Sequence, residues 1–268
     1  MNNNLYIPHA SPVKTVVDSF WQVEGSPRYN REHIIPQGMV EIIFNFSDSP
    51  PISAHLPGKK YCLGNCFING FNTVPVRLEL PKQQKFFGVR IQPLAVKKIF
   101  GVASGEFTNI VVDLTLVDSG ANSLWHQLAE QPDFDNRVSV FSNWIQKKFP
   151  VWQPQDEMVN QFLSGVDQHD LSVKDLAYSL CYSPRHLSRK MFEATGMNTE
   201  EILLYKKYLH AVHLIHHTDL SLTNIAYQSN FSDQSHFIRS FKNYSQMTPG
   251  EYKKTKGFVK GHVFENVR

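Results

Sequence analysis

The chain has 268 residues, 41% of them hydrophobic, which is enough for two domains each with its own core. A charged fraction of 19% beside 12% aromatics excludes a disordered or collagen-like chain, and a net charge of +3 is too small to establish a nucleic-acid partner by bulk charge. Three cysteines, Cys62, Cys66 and Cys181, form no spaced framework, which fits a reducing compartment rather than a disulfide-stapled secreted fold.

Residues 1–17 carry polar groups and two prolines where a secretory signal needs a basic start and a continuous apolar run, so a cytoplasmic location is expected. The longest apolar stretches, such as Glu41-Ile42-Ile43-Phe44-Asn45-Phe46, fall far short of the ~20 residues that cross a bilayer, and no membrane partner is expected. From residue 13 to about 91, short runs rich in Val, Ile and Phe are separated by Pro, Gly and Asn clusters, the pattern of a β-rich domain. Strands are predicted at 40–46, 66–71, 74–80 and 86–91, with turns at Pro36-Gln37-Gly38, Ser49-Pro50-Pro51 and Pro57-Gly58, giving a sandwich or barrel.

From Pro93 the period changes to that of a short helix stopped by Gly101. A helical stretch over 122–148, interrupted around Pro132, places Leu124, Leu128, Val138, Phe141, Trp144 and Ile145 on an apolar face. That face reads equally as a homodimer seam and as a layer covering the β-domain. Pro150 and Pro154 bracket a linker, and residues from 157 to about 254 read as helices joined by short turns. The expected organisation is α+β: a β-rich regulatory domain with flanking helices at 1–118, a helical linker at 119–154, an all-α domain at 155–256 and a tail at 257–268.

The helical part contains a repeat. Ser172-Val173-Lys174-Asp175-Leu176-Ala177-Tyr178 resembles Ser221-Leu222-Thr223-Asn224-Ile225-Ala226-Tyr227, 49 positions on, and after a one-residue insertion His186-Leu187-Ser188-Arg189 matches His236-Phe237-Ile238-Arg239. Each copy has the anatomy of a helix-turn-helix. Ser172 and Ser221 are placed to cap a short first helix, Asp175 making the first a near capping box. Cys181 and Asn230 stand where the turn needs a positive φ, and Ser183 with Pro184, or Ser232 with Asp233, opens the second helix. Leu187 and Met191, and likewise Phe237 and Phe241, recur four apart and should face inward. Arg185, Ser188 and Arg189, and Gln234, Ser235, Ile238 and Arg239, are left outside, with no acid over 183–192 or 234–244. Arg can pair with guanine and Gln with adenine in a major groove, whereas in a plain helical bundle the same side chains only meet water. The helix between the copies, about 199–216, spans roughly 27 Å and would set the second helices about one duplex turn of ~34 Å apart.

These residues resemble the AraC/XylS family of transcription regulators, in the stretches Leu176-Ala177, Ser183-Pro184-Arg185-His186-Leu187-Ser188-Arg189, Gly196-Met197, Asn230-Phe231-Ser232-Asp233-Gln234-Ser235-His236-Phe237 and Thr248-Pro249-Gly250-Glu251-Tyr252. The resemblance covers about eighty residues. It implies a sequence-specific regulator that binds double-stranded DNA through Arg185, His186, Ser188, Arg189, Gln234, Ser235, His236 and Arg239, with RNA polymerase as a protein partner. The chain departs from the family pattern at Cys181 and Asn230, where Gly is usual, at Met191, where Phe is usual, and at Lys207, where Arg is usual. The stretches Pro36-Gln37-Gly38-Met39-Val40-Glu41-Ile42-Ile43-Phe44-Asn45 and Gly88-Val89-Arg90-Ile91-Gln92-Pro93 resemble a β-rich domain often joined to such regulators. Related regulators use a cupin-like domain there to bind a small-molecule effector or to dimerise.

Enzyme chemistry finds little support. His9, His33 and His55 are isolated, with no His-x-His pair and following Glu for a cupin metal, and Cys62 and Cys66 lack a second ligand pair. His213 and His217, with His210 and His216 near, read as a solvated helix face rather than a metal site. Nucleophile elbow, Walker loop and dinucleotide fingerprint are all missing, so no cofactor is expected. Two other readings stay open: an enzyme with an appended DNA-binding domain, and a helical protein-interaction module that does not bind DNA.

Overall fold

The computed structural model describes residues 2–9, 12–48, 52–149, 152–165 and 171–265. The expected turn at Ser49-Pro50-Pro51 and the linker residues Pro150 and Val151 lie outside them. Two antiparallel sheets face each other in the N-terminal part. The first has the order β1 (Asn2–Tyr6), β2 (Val17–Gly25), β9 (Gln84–Ile91), β4 (Val40–Asn45), β7 (Cys66–Asn69), β10 (Val111–Asp113). The second has the order β11 (His262–Glu265), β3 (Arg31–Ile34), β8 (Val76–Glu79), β5 (Ile52–Leu56), β6 (Lys59–Leu63). The expected sandwich is therefore present. Pro57-Gly58 makes the hairpin turn between β5 and β6, with Gly58 at φ 74 as the i+2 position of a Pro-Gly turn requires.

The central strands of the first sheet carry apolar residues on both faces, and alternation explains why. Phe87, Val89 and Ile91 on β9 are buried in one core while Phe86 belongs to a second, smaller apolar cluster between the sheets. The first face is covered by α2 (Ala121–Ala129) and α3 (Phe134–Gln146). Phe141 meets Phe20 and Phe44 at ring distances of 5.9 and 6.1 Å, and the Trp125 indole donates to the Asn45 carbonyl at 2.9 Å. Arg137, 1% exposed, gives its guanidinium to the Leu128 and Gln131 carbonyls and to the Gln22 side chain. Of the two readings of this segment, the layer that covers the β-domain describes how its apolar face packs within one chain.

α1 (Pro93–Phe100) ends at Gly101, in the left-handed conformation at φ 75, as the glycine stop predicts. α4 (Pro154–Ser164) then leads to α5 (Val173–Ser179), α6 (Pro184–Thr195), α7 (Thr199–His217), α8 (Leu222–Gln228), α9 (Gln234–Ser245) and α10 (Pro249–Thr255). The expectation of separate cores fails at α7. Tyr205 packs against Phe71 and donates to the Asn72 carbonyl at 2.9 Å, Tyr208 donates to the Pro36 carbonyl at 3.2 Å, and one buried core runs from the sandwich into the helical part. Gly38, at φ 72, is part of this contact: a Cβ there would come within 2.7 Å of Leu209. The expected tail is also corrected, because residues 262–265 form β11 and pair with β3.

Candidate nucleic-acid interface

The two repeat copies fold alike down to single hydrogen bonds. Ser172 accepts the Asp175 amide and Ser221 accepts the Asn224 amide, each at 3.2 Å, so both first helices start under a serine cap. Both then stop on a residue in the left-handed region, Cys181 at φ 56 and Asn230 at φ 60. The next amides turn back to equivalent carbonyls, Tyr182 to Ala177 at 2.9 Å and Phe231 to Ala226 at 3.1 Å.

Ser183 caps α6 by accepting the His186 amide. Its counterpart is displaced: Asp233, not Ser232, caps α9, accepting the His236 amide at 2.8 Å. The inserted residue between the copies causes this shift. Hydrogen bonds from the His236 backbone and the Ser232 hydroxyl hold the Asp233 carboxyl below the usual carboxylate range.

Leu187, Met191, Phe237 and Phe241 are fully buried, and their spacing turns the opposite side of α6 and α9 outward. Arg185 and Arg189 on α6, and Gln234, Ser235 and Arg239 on α9, are exposed, while Ser188 is half-buried. Among the described residues, Arg185, Arg189 and Arg239 have no carboxylate partner. The two histidines behave differently from the arginines. His186 packs edge-on against Tyr182, and half-buried His236 packs against Phe231 and contacts the Ser232 hydroxyl at 3.1 Å. Both brace their turns. Lys190, the third basic residue of α6, is engaged by Asp156 on α4 at 2.5 Å, and Lys98 reaches the same carboxylate at 2.8 Å.

Sequence reasoning passed over one feature of this surface. Tyr178 and Tyr227 occupy the same place near the end of the first helix in the two copies and are 88% and 84% exposed. Burial needs neither ring, and the repeat Ala177-Tyr178 and Ala226-Tyr227 was the signal that could have singled them out.

α7 joins the copies. Its start is a full capping box of Asn198 and Glu201, and at 19 residues it is about 28 Å long. Lys207 donates to the Asn230 carbonyl at 2.7 Å, tying the helix to the second turn, and His210 meets Ser229 at 3.0 Å. No helix among the described residues is long and apolar enough to cross a membrane.

Residues 176–255 match the family model described as a helix-turn-helix domain, and residues 6–113 match that of a domain of unknown function (DUF6597). An HTH-type transcriptional regulator of Staphylococcus aureus is 34% identical over 101 residues, 37% of this chain and 14% of the relative. The HTH-type transcriptional activator RhaS of an Enterobacter strain is 31% identical over 99 residues, 36% of each chain. The chain thus matches about a seventh of the staphylococcal relative's length and about a third of RhaS. The solved structure of ToxT from Vibrio cholerae covers 94% of this chain and 97% of its own at a TM-score of 0.50 and 13% identity, a likeness of fold alone. The C-terminal helical part of this chain is an AraC-type helix-turn-helix domain.

Proposed function

We propose that this protein is a sequence-specific transcription regulator of the AraC type, acting in the cytoplasm, which binds double-stranded DNA by placing α6 and α9 in successive major-groove segments of one duplex face. The observation that carries the reading is the pairing of two equivalent helices whose outward arginines have no carboxylate partner among the described residues. In this reading Arg185, Ser188 and Arg189 meet one segment and Gln234, Ser235 and Arg239 the next. His186 and His236 hold the turns and present their edges to the backbone. Tyr178 and Tyr227 stand on the same side of each turn and join the contact surface.

Residues 155–256 are the DNA-binding part and residues 1–118, covered by the helices of 119–154, the regulatory part, which receives a small-molecule effector. RNA polymerase and a second copy of the chain are the protein partners. The reading assigns no catalysis to the chain.

Selection from a random duplex library with the full chain, at two salt concentrations, tests this. The full chain is needed because Tyr205 and Tyr208 of α7 are buried against the N-terminal part. The expected result is a motif spanning two adjacent major-groove segments, bound more weakly as salt rises because phosphate contacts release counterions. A folded chain that enriches nothing would transfer the weight to a helical protein-interaction module.

A further inference from the structure

The two sheets enclose a cavity of about 280 Å3, close to the size range of small-molecule sites. Most of its wall is apolar, with Ile43, Ile52, Ala54, Phe67 and Phe86 among the lining residues. Trp21 lies flat in this wall because β9 has a glycine beneath it: a Cβ on Gly88 would sit 2.0 Å from the indole ring.

The charged groups in the wall are matched to each other. Glu41 accepts from the Trp21 indole and from Arg90, both at 3.1 Å, and Glu32 holds His262 at 2.5 Å. Burial and the neighbouring Glu32 push the Tyr29 phenol up to about 12, so it stays neutral at physiological pH. Among the described lining residues one buried polar group is unmatched: Gln84 is 2% exposed and its Nε2 has no hydrogen-bond partner. A buried amide donor facing an apolar space calls for an acceptor from a guest. A charged guest would meet no free counter-charge, so the matching occupant is neutral.

The far side of the cavity is made by the C-terminal tail. After α10 the chain turns back, with the Gly261 amide donating to the Tyr252 hydroxyl at 2.8 Å and the Ile35 amide to the Gly261 carbonyl at 2.9 Å. β11 then adds to the edge of the second sheet against β3, from His262 opposite Ile34 to Glu265 opposite Arg31. Phe258, Val259, His262 and Phe264 line the cavity, and Phe264 packs against Tyr29 with ring centres 4.3 Å apart. Tyr252, which anchors this tail, packs on Phe241 of α9 at 5.9 Å. A direct line of contacts therefore leads from the cavity wall through β11 and Tyr252 to the second outward helix.

We propose that the cavity binds a neutral, mainly apolar small molecule with one hydrogen-bond acceptor directed at Gln84, and that β11 is part of the site, so that ligand and tail hold each other in place. The consequence for DNA rests on the function proposed above; binding to the cavity does not. When ligand and β11 stabilise each other, occupancy and the seating of α9 are linked by the same free energy in both directions.

The probe is 6-propionyl-2-(dimethylamino)naphthalene, a neutral ketone whose emission shifts to the blue in apolar surroundings, titrated into the full chain. Saturable blue-shifted emission is expected, weakened at least tenfold by Ala54→Trp, which fills the cavity, and severalfold by Phe264→Ala. Gln84→Leu keeps the apolar volume and removes the donor, so it should weaken the ketone severalfold and leave naphthalene unaffected; circular dichroism checks that each variant is folded. With the probe bound, amide hydrogen exchange over 257–265 should slow severalfold, and affinity for the selected duplex should change. Absence of saturable binding, binding indifferent to both Ala54→Trp and Gln84→Leu, or unchanged exchange over 257–265 would overturn the proposal. A chain that binds the probe as expected but no duplex would break the regulator reading and leave the cavity assignment standing.

Discussion

The two helix-turn-helix units share their caps, turns and inward residues but differ in what holds the rear of the outward helix. α6 is moored to the N-terminal part: Lys190 and Lys98 share Asp156, Lys97 meets Glu193 at 2.9 Å, and Thr108 donates to the Thr195 carbonyl at 3.0 Å. The approach is close enough that a Cβ on Gly105 would come within 2.4 Å of the Phe192 carbonyl oxygen. α9 is moored within the helical part, Phe241 against Tyr208 and Tyr252, and Tyr244 against Tyr205. Equal local chemistry thus serves unequal connections. The first unit is fixed to the regulatory part by several side chains of α6, while the second meets it through α7, the tail and one contact at the end of α9, between the Ser245 backbone and His33 of β3.

The strongest test of this difference removes the mooring of the first unit. Asp156 is 3% exposed; burial pushes its carboxyl up, and hydrogen bonds from Lys190 and Lys98 outweigh that effect and bring it below the usual range. Asp156→Ala leaves two ammonium groups facing each other and should cost about 3 kcal/mol in urea unfolding. Lys207→Ala, which cuts one tie of the second unit, should cost about 1 kcal/mol. Equal losses would dissolve the comparison. A group whose folded pKa is depressed stabilises fully above its unfolded value, near pH 4, and loses that contribution as pH falls through the folded value. The stability curves of wild type and Asp156→Asn should therefore converge in acid.

Next in size are the outward arginines. Arg189→Ala and Arg239→Ala should each weaken binding to the selected duplex by ~1–3 kcal/mol and relax sequence preference in their own half of the motif only. Measured by competition titration, unchanged binding of both variants would sink the assignment of these positions.

The units were legible in the sequence because their determinants are local. Caps, a positive φ between two short helices and a four-residue inward spacing all act within a dozen residues, and duplication printed them twice. The one local misreading, Ser232 for Asp233 as the cap, came from the single inserted residue that moved the helix start. The strands of the first sheet read as plain apolar runs because one face is buried under α3 and the other lines the cavity, which hides the alternation that would have revealed a cavity. β11 was illegible for the opposite reason: its four residues owe their strand to pairing with β3, some 230 positions earlier, and a short polar-aromatic tail carries no sign of such a partner. The sequence left two readings of 119–154 open because periodicity shows that a helix has an apolar face without showing what covers it.

A smaller effect compares the two turns. Cys181 pays for its left-handed conformation, so Cys181→Gly should stabilise the chain by about 1 kcal/mol. Asn tolerates that region, so Asn230→Gly should change stability by a few tenths of a kcal/mol at most. Thermal unfolding of both variants gives the difference, and a larger gain at Asn230 would mean that strain is stored in the second turn instead.

The finest distinction lies in the caps. Ser183 and Asp233 do the same work for α6 and α9, but only Asp233 titrates. Its carboxyl is depressed by the bonds it accepts from the His236 amide and the Ser232 hydroxyl, so the cap is complete above the usual aspartate range and weakens as pH falls through the lower folded value. In a pH titration followed by nuclear magnetic resonance, the His236 amide should shift with the Asp233 carboxyl below about pH 4, while the His186 amide under its serine cap stays flat over that range. Two flat profiles would mean that Asp233 does not hold the helix start; two that move together would mean that α6 and α9 respond to acid as one body, and the separate moorings would lose their meaning.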